Sequence, residues 1–188
     1  KGGGEIELRV EPVEGPLSPL SRTTLEKPLR FFGISLASHL RERRVAERMA
    51  ARCQEELAKH GIRAEFRILN DETSVQPGAA LALFVEDQKG ARLGADQAGA
   101  PGRPAERIAE FVTQSLLEDL SSGATVDRHL ADQLILYAAL AQGESVYVIP
   151  AVTDHVEANL WLAETLLGAK WELQGKTLWI KGVGYVRG

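Results

Sequence analysis

His155 has the type and the setting for nucleophilic chemistry in this 188-residue chain. It follows Thr153-Asp154 where the apolar run Val146 to Pro150 gives way to a periodic stretch, Asp154 to Leu167. The capping-box spacing of Asp154 and Glu157 predicts a helix whose first turn holds the imidazole. Unpaired backbone N–H groups and the helix dipole at such an N-terminus attract phosphate, and an unprotonated imidazole beside a bound triphosphate can attack phosphorus. On position alone, an exposed first-turn histidine with no role is the weightier reading.

The second constellation is Asp127-Arg128-His129-Leu130-Ala131-Asp132-Gln133, which opens a helix running from Val126 to Ala141. Helical spacing puts His129, Asp132 and Gln133 on one side, at i, i+3 and i+4. A flat ring, a carboxylate and an amide together can hold a purine and its sugar, or a metal-bound phosphate. The competing and, from the pattern alone, favoured reading is a hydrated stripe beside a core stripe of Val126, Leu130, Leu134 and Tyr137.

The elements that must position these residues fall into two groups. Leu29 to Ser38 reads as a strand and Arg41 to His60 as a helix with Val45, Met49, Cys53 and Leu57 inward and Gly61 as its stop. Strands follow at Ile62 to Leu69 and Ala79 to Asp87, the latter turning at Lys89-Gly90 into Ala91 to Ala95. A helix from Arg103 to Leu120, with Ile108, Phe111, Val112 and Leu116 on one side, completes a compact α+β unit over 29–120. After Ser121-Ser122-Gly123 the order becomes helix, strand (Val146 to Pro150), helix, and two strands (Trp171 to Leu173, Thr177 to Lys181). The alternation Glu5-Ile6-Glu7-Leu8-Arg9-Val10 predicts a strand belonging to this second unit, with 29–120 inserted between the two parts.

Composition narrows the function class. The chain is 44% hydrophobic and 26% charged, which suits a globular protein, and its net charge of -4 gives no general electrostatic attraction for nucleic acid, so an RNA site would be local. Between Arg41 and Arg67 eight Arg or Lys face five Glu, a pattern that reads as a solvated helix face before it reads as an RNA track. Cys53 is the only cysteine, which excludes an intrachain disulfide and a thiolate zinc cluster and points to a core thiol in a reducing, intracellular setting. No apolar run reaches the roughly 20 residues that span a bilayer, so a soluble, cytoplasmic protein with no membrane partner is expected. His39 and His60, at the ends of the first helix, read as surface residues. Gly94 to Gly102 lacks the Lys-Ser/Thr of a phosphate loop and reads as a flexible connection.

Taken together, these residues resemble the RNA 3′-terminal phosphate cyclase family. Lys1-Gly2-Gly3-Gly4-Glu5 is similar to the family's basic-Gly-Gly-Gly segment, Gly94 to Glu106 to its Gly-rich stretch ending Pro-Ala-Glu, and Val126 to Gln133 to its Asp-x-x-Leu-Ala-Asp-Gln signature. Val152-Thr153-Asp154-His155, with Asn159 four residues on, resembles the stretch bearing the family's adenylylated histidine. The resemblance implies an α+β fold of repeated units, each two helices on a four-stranded sheet, with a smaller insert domain. Residues 1–28 and 121–188 would form the last unit and 29–120 the insert. It also implies an enzyme in which His155 accepts AMP from ATP with a divalent metal, Mg or Mn, present. AMP then passes to an RNA 3′-phosphate end, which closes to a 2′,3′-cyclic phosphate. His129, Leu130, Ala131, Asp132 and Gln133 would line the ATP site, His129 standing where the family more familiarly has a Tyr stacked on adenine. The family's N-terminal half, with its Arg, Glu and Gln active-site residues, has no counterpart here, so the missing part of the same protein is an expected partner. An alternative is a non-catalytic ribosome-biogenesis relative that binds RNA without the histidine; a third is a nucleotide-binding or scaffold fragment.

Overall fold

The computed structural model describes residues 5–186. In chain order its elements are β1 (Ser21–Arg22), β2 (Arg30–Ser38), α1 (Val45–Ala58), β3 (Ala64–Asp71), β4 (Gly78–Glu86), β5 (Arg92–Ala98), α2 (Ala105–Ser121), α3 (Leu130–Leu140), β6 (Gln142–Val148), α4 (Asp154–Leu162), β7 (Lys170–Gln174) and β8 (Thr177–Val183). They make an α+β molecule with two mixed sheets and four helices.

The first sheet has the order β3-β2-β4-β5, with β2 parallel to β3 and antiparallel to β4, and β4 antiparallel to β5. The fourfold spacing of Val45, Met49, Cys53 and Leu57 is what builds its core: all four are buried on α1 and meet Ile108, Val112 and Leu116 of α2 over Leu81, Leu83 and Leu93. Burial pushes the Cys53 thiol up to about 11, and the Thr113 hydroxyl lies 3.0 Å from its sulfur.

The second sheet has the order β1-β6-β8-β7, with β1 parallel to β6 and the other pairs antiparallel. Its separate core gathers Ile135 of α3, Val156 and Leu160 of α4, and Tyr147, Leu178 and Ile180 of the strands. α3 crosses β8 so closely that any side chain at Gly182 would run into the carbonyl oxygens of Ala138 and Ala141. α4 runs on into a π turn, Ala163–Leu167, that ends at Gly168 in the left-handed conformation. The chain leaves this sheet after β1 and returns at Thr125, whose hydroxyl donates to the Arg22 carbonyl at 2.8 Å and accepts the Val148 N–H at 3.0 Å.

Several expectations are corrected. Glu5–Glu11 form no strand among the described residues: Ile6, Leu8 and Val10 are 94%, 82% and 72% exposed, and alternation makes a strand only where a ladder partner is at hand. α2 begins at Ala105, because Pro104 is extended and has no N–H to give, and Phe111 lies outside the core. Gly94 to Gly102 is not all connection, since β5 continues to Ala98. α3 begins at Leu130, four residues later than the apolar periodicity suggests. The Asp127 carboxylate oxygen Oδ1 accepts the His129 N–H at 3.0 Å and the Leu130 N–H at 2.8 Å, which stops the helix there. The inward stripe of α3 is accordingly Ala131, Ile135, Ala138 and Ala139, with Leu130 and Leu134 half-buried beside it and Tyr137 exposed. Lys1 to Gly4, the first part of the family-like segment, lies outside the described residues.

Candidate nucleotide site at the facing ends of two helices

Thr153 leads the chain from β6 into α4. Its hydroxyl accepts the Val156 N–H at 3.3 Å, so Thr153 is the N-cap, and the capping role expected of Asp154 and Glu157 is corrected to first-turn acidic residues. His155 sits in that first turn with its ring exposed. One turn on, Asn159 is half-buried and donates its amide to the Asp132 carbonyl across a 3.4 Å gap. This contact ties the second turn of α4, one turn past His155, to the first turn of α3, so the two helices singled out in the sequence adjoin.

At the α3 end the five residues differ in what they offer. His129 and Gln133 are exposed and Asp132 is half-buried. Ala131 is buried and Leu130 half-buried against the core, and their N–H groups are already given to the Asp127 carbonyl and carboxylate respectively. Beneath them Tyr147 donates its hydroxyl to the Ala131 carbonyl at 3.3 Å. Burial holds its phenol well above the ordinary tyrosine range, and the Asp132 carboxylate adds to that. The surface above is therefore an imidazole, an amide, a carboxylate and a second imidazole on two helix starts. Those groups can hydrogen-bond a base and sugar, and the N-terminus of α4 can attract phosphate, whereas the first N–H groups of α3 are bonded to Asp127 and Asp119. Among the described residues no three of His, Cys, Asp and Glu are grouped to hold a metal ion.

Cations are scarce here. Arg128, the nearest basic residue before the site in sequence, is committed elsewhere: its guanidinium donates to Asp119 at 2.8 Å, to Glu118 at 3.2 Å and to the Ser115 carbonyl at 2.9 Å. Those contacts were missed in the sequence, which carries no signal pairing Arg128 with α2. Asp127 did carry a signal, an N-cap residue type just ahead of an apolar period, but it was read as part of the helix.

The other histidines lie apart. His39, in the first lobe, has one ring nitrogen 2.6 Å from the Ser74 carbonyl and the other 3.2 Å from Glu72. The Ser74 carbonyl above all, helped by Glu72, raises its pKa. His60 lines a cavity of about 1560 Å³ between the C-terminal halves of α1 and α2 and the stretch 23–29, which none of the candidate nucleotide residues lines.

The fold thus describes a class: a lobe of two helices on a four-stranded sheet, with a second α+β lobe inserted after its first strand. Residues 23–121 match the sequence family described as RNA 3′-terminal phosphate cyclase (RTC), insert domain. The chain is 37% identical over 179 residues to a protein of Thermococcus onnurineus named RNA 3′-terminal phosphate cyclase, covering 94% of this chain and 50% of that one. Proteins of the same name from Pyrococcus abyssi (36% over 176 residues, 94% of this chain and 50% of theirs) and Pyrobaculum neutrophilum (33% over 189 residues, 98% and 54%) are also similar. The chain spans about half the length of these curated relatives. It belongs to the RNA 3′-terminal phosphate cyclase family.

Proposed function

We propose that the protein containing this chain converts an RNA 3′-phosphate to a 2′,3′-cyclic phosphate at the expense of ATP, through a covalent histidine–AMP intermediate on His155. The observation that supports the reading is the Asn159–Asp132 contact, which joins α4 one turn past His155 to the first turn of α3. A nucleotide held by the ring of His129 and the polar groups of Asp132 and Gln133, over Leu130 and Ala131, presents its α-phosphorus to the imidazole. An imidazole nitrogen attacks that phosphorus, the bond to the β-phosphate breaks, pyrophosphate leaves, and the ring gives up its remaining proton to solvent. An oxygen of the RNA 3′-phosphate then attacks the phosphorus of the bound AMP, the P–N bond breaks, and the histidine leaves as neutral imidazole, taking a proton back from solvent. The vicinal 2′-hydroxyl next attacks the RNA phosphorus, losing its proton to solvent as AMP departs. Magnesium or manganese, hard cations that take oxygen ligands, would travel on the triphosphate and shield its charge.

In this reading residues 1–28 and 121–188 are the last of the family's repeated units and 29–120 its insert domain, and the protein works in the cytoplasm. Among the described residues no helix is long and apolar enough to cross a membrane. The test is incubation of the full-length protein with α-labelled ATP. Acid-labile, alkali-stable label is expected on the wild type, none on His155→Asn, and undiminished label on His39→Asn and His60→Asn. Label found on His129 instead overturns the assignment. Loss of all labelling in the wild type, with RNA binding retained, favours the non-catalytic alternative.

A further inference from the structure

We propose that Asp127, Arg128 and Asp119 form a positioning clasp through which the inserted lobe sets the place of the helix start that carries His129, Asp132 and Gln133, and with it the affinity for nucleotide. This rests on the nucleotide reading above. The two oxygens of Asp127 do different work. Oδ1 caps α3 through the His129 and Leu130 N–H groups, while Oδ2 accepts the N–H of Gly94 on β5 of the other lobe at 3.1 Å. The next residue is held by the same lobe: the Arg128 N–H donates to Asp119 Oδ2 at 3.0 Å, and its guanidinium reaches Asp119, Glu118 and the Ser115 carbonyl. Asp119 is 3% exposed on α2, and a buried carboxylate needs partners of this kind.

Two consecutive residues are therefore fixed by the inserted lobe, and the one that follows is His129. The flank of α3 is held from its own lobe, by β8 at Gly182 and by α4 at Asn159. Its N-terminal lead-in takes its position from β5 and α2. A ligand platform displaced by an ångström loses much of its effect, so movement of the inserted lobe is felt at the nucleotide without any contact between the two.

The experiment measures initial rates of histidine labelling across ATP concentrations in the full-length protein for wild type, Arg128→Met, Arg128→Lys and Arg52→Met. Arg52 pairs with Glu55, Glu56 and Glu110 inside the inserted lobe, so Arg52→Met removes an ion-pair set of similar size that does not touch α3. The KM for ATP is expected to rise about tenfold in Arg128→Met and about threefold in Arg128→Lys, with kcat within about twofold and no change in Arg52→Met. If Arg128→Met does not fold, Arg128→Lys, which keeps the charge and part of the bonding, carries the test. Wild-type ATP dependence in the Arg128 variants, or an equal shift in Arg52→Met, overturns the clasp while leaving the nucleotide reading intact. A wild type that takes no label from ATP sinks the nucleotide reading, and the clasp with it.

Discussion

Gln133 projects from the first turn of α3 away from Ala131 and Ile135, which face the core, Asp132 is half-buried beside that stripe, and neither carries a side-chain hydrogen bond among the described residues. Deleting exposed or half-exposed polar groups of this kind costs little stability, typically within about 0.5 kcal/mol for surface positions and somewhat more for a half-buried carboxylate. Asp132→Ala and Gln133→Ala are therefore expected to raise the ATP concentration needed for labelling by about tenfold while leaving thermal unfolding close to wild type. A large drop in unfolding temperature with unchanged ATP dependence would mean that the two residues are structural. His155 and Asn159 were legible together only through the family-like stretch that holds both. What they pair with was not, because the Asn159–Asp132 contact joins residues 27 positions apart through a carbonyl group that any side chain would have supplied equally.

At the scale of elements, α4 depends on a single hydroxyl for its start. Thr153→Ala removes the acceptor for the Val156 N–H and is expected to destabilise the protein by about 1 kcal/mol, the usual cost of losing an N-cap. The fraying falls on the turn that carries His155, so labelling is expected to slow by more than the loss of stability explains; a Thr153→Ser variant, which keeps the hydroxyl, should restore both. Unaltered labelling in Thr153→Ala would separate the cap from the chemistry. Elements whose signal is local were read well. The buried stripe of α1 and the hairpin between β4 and β5 follow from periodicity and from turn residues at Lys89-Gly90. The start of α3 departs from the apolar periodicity because the Asp127 carboxylate takes the His129 and Leu130 N–H groups, and its other oxygen is shared with Gly94, 33 residues upstream. The strand expected at Glu5–Glu11 failed for the opposite reason: its pattern is right, but a strand is defined by its neighbour.

At the scale of the whole molecule, several large apolar side chains of the second lobe are open to solvent: Trp161 is 62% and Leu166 73% exposed, with Leu136 and Tyr137 on α3 also exposed. The proposed transfer from a triphosphate to an RNA phosphate calls for cations other than Arg128, which is spent on Asp119. Residues 1–188 alone are therefore expected not to cyclise RNA, and supplying the other half of a full-length relative as a separate chain is expected to restore histidine labelling in a pull-down. Robust cyclisation by this chain alone would refute that division of labour. One bond described above bears on how such an architecture can arise. The Thr125 hydroxyl joins the point where the chain leaves the second sheet, at Arg22, to the point where it returns. To that sheet the intervening hundred or so residues are topologically a short loop, whose closing entropy grows only slowly with length. An ancestor with a simple turn there could have accepted the whole lobe without re-registering a strand, and descendants remain free to enlarge, shrink or exchange it, provided that whatever fills the gap still offers Asp127 an N–H and Arg128 a carboxylate.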